Sequence, residues 1–350
     1  MSAYSHRQAE YVVRLLDSQD QEIRVLDGVT GGAVTVSSAT RLKSSGSLQI
    51  TKTTEGIDWL SQRVRIDYQP TGDQGWPLGV FLLTSPTDSY SETGVTWDVD
   101  LLSKLAILDE SKTEATFSVP AGANLVETVA SLISVQAKAD ARQLAITASP
   151  ATALSAMTWD PGTPYLTIIN ELLDAAGYWS LWCDGYGIFH VEPYVRPAQR
   201  PTVFDFVEGE ESVHSASWSR DQDLAEVPNK VVLVGQGSDE TPALVGVATN
   251  EDPNSPLSYV SRGRWIVHTE EGVEAADQAT LTRKARQVLI DKSTPSASLQ
   301  IEHIPLDLQT NQAVSFASQG HRARCVIQKI EYQLSPVALV KTTLREVVDL

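Results

Sequence analysis

Over about its first hundred positions the chain alternates apolar and polar residues with the two-residue period of half-buried strands. The clearest run is 95–101, where Val95, Trp97, Val99 and Leu101 are separated by Thr96, Asp98 and Asp100. Shorter runs at 11–16, 22–26, 33–36, 47–51, 63–68 and 80–84 are punctuated by Gly28, Gly31 and Gly32 and by polar turns. So many short strands in so little chain predict a small barrel or sandwich.

The period then becomes helical. Asn124 is placed to cap a helix starting at Leu125, with Leu125, Val129, Leu132 and Ile133 on one face. A second helix is predicted with Thr163 as cap, Pro164 in its first position and Gly177 closing it in a left-handed conformation. Its buried face is Leu166, Ile169, Leu172, Leu173 and Ala176. Residues 178–183 and 187–192 read as a hairpin turning at Asp184-Gly185. Pro193, Pro197, Pro201 and the acidic stretch 208–211 form a linker, after which strands return at 213–220, 230–234 and 264–268. A last helix is expected at about 273–292, acidic early and basic late, as the helix dipole favours. Its packing face is read as Ala275, Ala279, Ala285, Val288 and Leu289.

Two strand-rich stretches repeat one order of parts. Ser47-Leu48-Gln49-Ile50 is followed by a polar gap, a run at 64–68 and longer runs at 78–84 and 95–101. Ser298-Leu299-Gln300-Ile301 is followed by a similar gap, a run at 312–316 and longer runs at 323–334 and 337–347. Chance supplies one shared tetrapeptide about once in a chain of this length, so the repeat rests on the strands that follow. The expected fold class is α+β, mostly β, with two small β-barrel-like domains related by this pseudo-repeat and an α+β domain between them. The expected domains are 1–103, 104–205 and 206–350, the last with a loop insertion at about 236–262 and the helix at about 273–292.

The 350 residues carry 44 Asp and Glu against 27 Lys and Arg, a formal charge of −17, which argues against specific binding of nucleic acid or anionic membranes. Cys183 and Cys325 are too few for a disulfide framework or a thiolate zinc cage; the two could pair with each other, but buried free thiols are the favoured reading. The polar N-terminus lacks the apolar run of a signal peptide, and no stretch has the apolar length of a membrane span.

No catalytic signature is present. The segment 28–32 is glycine-rich but lacks the lysine of a phosphate-binding loop, and reads as a turn. His6, His190, His214, His268, His303 and His321 occur singly, without metal-binding spacing. Asp98 with Asp100, and Asp221 with Asp223, are the carboxylate pairs a glycosidase would need, but in so acidic a chain they read as solvated side chains. Asn250, Glu251, Asp252 and Asn254 lack the ordered ligand pattern of a calcium loop. Among the eight tryptophans, Trp59, Trp76 and Trp159 lie near predicted loops, and the others fall in strand patterns. The sequence assigns no catalytic, cofactor-binding or metal-binding residue, and no cofactor.

The order of parts resembles the tail hub, or baseplate hub, proteins of tailed phages, including the N-terminal hub region of tail-associated lysins. The resemblance runs through Arg41-Leu42-Lys43-Ser44-Ser45-Gly46-Ser47-Leu48-Gln49-Ile50, 79–86, 95–105, Val119-Pro120-Ala121-Gly122, 172–178 and 227–235. It implies a structural minor tail protein of the virion tail tip, assembled in the host cytoplasm, and not an enzyme. It implies a homotrimer whose two modules per chain form a pseudo-sixfold ring through which DNA passes. The implied partners are a distal tail or tail tube protein, a tape measure protein and tail-tip or fibre proteins. Since the sequence ends at Leu350 after the last strand-like run, the resemblance implies a minimal hub without an appended enzyme. The alternative is a receptor- or glycan-binding minor tail protein acting through Trp59 or Trp76; a cell-wall hydrolase is less favoured.

Overall fold

The computed structural model describes residues 8–52, 56–92, 94–210, 212–222, 225–235, 244–273, 278–292 and 297–347. It divides into two compact units, Met1–Trp218 with Ile301–Leu344, and Ser219–Gln300 with Arg345–Leu350. The fold is mostly β.

Eight strands open the chain: β1 (Ala9–Leu16), β2 (Glu22–Val25), β3 (Val29–Ser37), β4 (Ser44–Thr51), β5 (Arg63–Pro70), β6 (Trp76–Leu83), β7 (Thr87–Ser91) and β8 (Gly94–Ser103). The alternation read from the sequence becomes a two-sided surface. In β8, Trp97, Val99 and Leu101 are buried while Asp100 is exposed. Strand β4 lies antiparallel to β8 with Leu48 opposite Val99 and Ile50 opposite Trp97. Leu48, Ile50, Val64 and Ile66 are fully buried in this core, each stabilising the fold by roughly 1.5–3 kcal/mol.

The middle segment holds α1 (Ala106–Glu110), β9 (Phe117–Val119), α2 (Leu125–Gln136), β10 (Leu144–Ile146), β11 (Met157–Trp159), α3 (Tyr165–Ala175), β12 (Trp182–Cys183) and β13 (Phe189–Val191). Asn124 caps α2 by accepting from the Glu127 N–H at 3.0 Å. The start of α3 differs from the sequence reading. Pro164 is its N-cap, and the Thr163 hydroxyl instead donates to the Asp160 carbonyl at 2.7 Å, closing the preceding turn. Its end follows the expectation: Gly177, at φ 73°, and Tyr178 donate to the carbonyls of Asp174 and Leu173 in a Schellman arrangement. Strand β13 pairs with β12 as a hairpin and also parallel to β10, a pairing with no local sequence signal.

Strands β14 (Thr202–Val207) and β15 (His214–Asp221) follow, and the second unit begins within β15, at Ser219. That unit contains β16 (Lys230–Gly235), β17 (Val245–Thr249), α4 (Tyr259–Arg262), β18 (Val267–Val273) and α5 (Gln278–Lys292). Strand β16 is central, antiparallel to β17 and parallel to β18. Leu281, Ala285 and Leu289 of α5 pack on Val231, Leu233 and Ala248. Val288 packs there half-buried, but Ala279 is exposed; Ala275 lies outside the described residues. Close approach of α5 depends on Gly246, where a Cβ would meet the Leu281 carbonyl oxygen at 2.6 Å. The helix begins later than the sequence predicts because Val273 still belongs to β18. The chain closes with β19 (Ser298–His303), β20 (Ala313–Ser318), β21 (His321–Gln333) and β22 (Val340–Glu346).

The two strand-rich modules do not close into barrels. Their strands join one 14-stranded sheet with the main order β15-β19-β22-β21-β3-β4-β8-β6-β5-β1-β2. The physical cause is the length of β21. Its 13 residues pair with β20 over one stretch, and Lys329–Gln333 then pair with Ser37–Ala33 of β3. An edge that closure would have satisfied within one module is satisfied by the other.

Candidate functional site

The feature with most bearing on function is the doubled module. The path β3-β4-β8-β6-β5-β1 is matched step for step by β15-β19-β22-β21-β20-β14. The shared tetrapeptide occupies equivalent strands, β4 and β19, with equivalent faces: Leu48 and Leu299 are 0% exposed, whereas Gln49 and Gln300 are exposed. The last step differs, for β1 runs antiparallel to β5 and β14 runs parallel to β20. The connection after β6 and the one after β21 both display apolar side chains, Tyr90 at 77% and Val337 at 92% exposure.

A second duplication lies in the middle segment and was not read from the sequence. Residues 111–135 and 151–175 carry the same elements forty residues apart. Strands β9 and β11 pair about a centre at Ser118 and Thr158. Around it the contacts come in twos. Lys112 bridges Pro164 as Thr152 bridges Asn124. Thr113 N–H donates to the Thr163 carbonyl at 3.0 Å, and Ala153 N–H to the Ala123 carbonyl at 2.9 Å. The two copies are thus related by a local pseudo-twofold axis. Gly122 and Gly162, at φ 83° and 87°, make the strand-to-helix turn in each copy, a conformation that favours glycine. They and Leu132 with Leu172 are the recurring identities that could have signalled the repeat.

Polar chemistry is buried differently in the two modules. In the first, Asp20 at the β1–β2 turn accepts from Arg63 at 2.5 Å, Lys104 at 2.5 Å and Gln143 at 2.6 Å. Lys104 is 1% exposed, also donates to the Gly187 carbonyl at 2.7 Å, and lies 4.7 Å from the Phe189 ring centroid. In the second, His303 is buried among Phe206, Thr342 and His214. Its Nδ1–H donates to the Ile304 carbonyl at 2.6 Å and its Nε2 accepts from Thr342 at 2.8 Å. Burial, aided by His214, pulls its pKa down to about 4.

The remaining candidates are dispersed. His190 stacks on Trp182, and His268 lies 2.7 Å from Glu270. His321 is near Trp218, while His6 lies outside the described residues. Asp98 is held by the Ser89 hydroxyl, and Asp223 lies outside the described residues. Asp252 accepts from Asn254 within its own loop, and among the described residues no group of three metal-ligating side chains is found. No described helix is long and apolar enough to cross a membrane. Cys183 and Cys325 are not joined by a disulfide. Trp59 packs edge-on against Trp97 at 5.3 Å, and Trp159 is buried with its Nε1 donating to Glu171. Trp76 instead lines a cleft with Trp179 and Trp182.

No family model and no curated sequence matches the chain. Solved structures do. A tail protein from Neisseria meningitidis matches with a TM-score of 0.65 and 14% identity, covering 97% of each chain. The 43 kDa tail protein of prophage MuSo2 from Shewanella oneidensis gives 0.67 and 13%, covering 97% of this chain and 98% of that one. A chain of the Francisella PdpA–VgrG complex gives 0.60 and 10%, covering all of this chain and 59% of the other. The chain therefore has the fold of these tail proteins.

Proposed function

We propose that this chain is a structural hub of a phage tail, three copies of which form a ring at the tail tip. The observation that carries this reading is the matched strand order of the two modules, in a chain with a tail-protein fold. Two similar modules per chain let a trimer offer six similar positions to a sixfold tube and three to the parts beyond it. In this reading residues 1–103 and 206–350 supply the ring modules and 104–205 stands between them in sequence. Its partners in this role are a distal tail or tail tube protein, a tape measure protein and tail-tip or fibre proteins.

DNA passes through such a ring without being bound, which a formal charge of −17 favours by repulsion. The chain performs no catalysis in this role. The test is the mass of the purified protein by light scattering, together with its position in virions by electron microscopy. A trimer located at the tail tip is expected. A monomer at high concentration that is absent from virions overturns the reading.

A further inference from the structure

We propose that the chain also binds a short neutral saccharide, in the cleft lined by Trp76, Trp179 and Trp182. A cavity of about 180 Å³ lies between β6, the β12–β13 hairpin and the segment 307–311. A second recess of about 390 Å³ adjoins it, and Trp179, Trp182, Gln309, Thr310 and Asn311 line both. Since roughly 150 Å³ already admits benzene, the first recess has room for one six-membered ring with substituents. The second extends that space to a further unit.

The aromatic walls are fixed before any ligand arrives. His190 stacks on Trp182 with centroids 4.2 Å apart and planes 16° apart, and Trp182 Nε1 donates to Glu192 at 3.0 Å. The Arg200 guanidinium lies 4.5 Å over Trp179, and Tyr194 packs against the same indole at 4.5 Å. Trp76, Trp179 and Trp182 nevertheless remain half-buried rather than closed off. Rings that are immobile yet accessible lose little freedom on binding, and their flat apolar faces suit the C–H faces of a pyranose.

Around these walls stand groups for sugar hydroxyls: Lys43, Gln309, Thr310 and Asn311. Lys43 is half-buried at φ 63°, a left-handed conformation uncommon for a lysine, and it donates to the Ser38 carbonyl at 2.8 Å. An ammonium has three N–H groups, so further donors remain for a ligand. Charge around the two recesses is mixed, with Lys43 and Arg200 set against Asp184, Glu192 and Asp307. No single sign is selected, which favours a neutral polyhydroxylated ring over an ionic ligand.

The experiment is saturation-transfer NMR on the full chain with glucose, N-acetylglucosamine and its β1,4-linked disaccharide at millimolar concentration, with indole as the apolar probe. Transfer to at least one sugar is expected, weakened about tenfold or more in Trp182→Ala. Because that variant removes packing, Ser180→Trp provides the second test. Ser180 is an exposed cavity-wall position, and the larger ring should block sugar transfer while the melting temperature stays unchanged. Absence of transfer to all three sugars, transfer to indole alone, or sugar binding that survives both substitutions overturns the proposal. None of these outcomes depends on the oligomeric state, so the hub reading and this one fail separately.

Discussion

The first β-module is written in one stretch, β1 to β8, whereas the second is gathered from β14, β15 and β19–β22 with the second unit's chain between them. Both nevertheless arrive at the same strand order. They differ in what they bury: an ionic node around Asp20 in one, the neutral imidazole of His303 in the other. The strand order thus follows the apolar faces that both share, even where one pairing changes from antiparallel to parallel. Buried polar groups are free to diverge, provided each finds its partners.

The largest effect should come from the ionic node, which has no counterpart among the described residues of the second module. Asp20→Ala leaves Lys104 and Arg63 buried without their shared carboxylate, and should cost about 3–5 kcal/mol in chemical denaturation. A loss below about 1 kcal/mol would mean that water or another carboxylate takes over.

Equivalence of the modules is tested by Leu48→Ala and Leu299→Ala. Both side chains are fully buried in matched strands, so each should cost about 2–5 kcal/mol. If one is nearly silent, the two strands are not equivalent in packing, and the repeat is one of topology only.

The histidine module should respond to acid. His303 has a folded pKa of about 4, below the ordinary 6.5, so it stays neutral in the fold while the unfolded chain takes up a proton. Its contribution is full above about pH 6.5 and is lost as pH falls toward 4, on the order of 3 kcal/mol. His303→Gln should flatten that part of the stability–pH curve. An unchanged acid limb would show that His303 is not the titrating group.

The smallest effect separates the two copies of the middle repeat. Asn124→Ala removes a side-chain cap and should lower stability by about 1 kcal/mol. The equivalent Pro164 makes no side-chain cap bond, so Pro164→Ala should change stability by less. Equal losses would place the energy in the turn backbone rather than in the cap.

Much of this was legible locally. The period of β8, the cap at Asn124, the left-handed Gly177 and the repeated Ser-Leu-Gln-Ile strand are signals a few residues long, and each appears where its pattern requires. The start of α3 departs from its local pattern, for threonine before proline resembles a cap while Thr163 serves its own turn. The forty-residue repeat has little local signal because its copies share burial pattern and pairing far more than residue identity.

The strand and helix faces follow from the local order of residues, because side-chain alternation is a property of neighbours along the chain. It takes the folded chain for β21 to reach across to β3, for Asp20 to gather Arg63, Lys104 and Gln143, and for three tryptophans to line one cleft. These contacts join residues tens to hundreds of positions apart. Their partners are selected by the packing of whole elements, for which no local pattern exists.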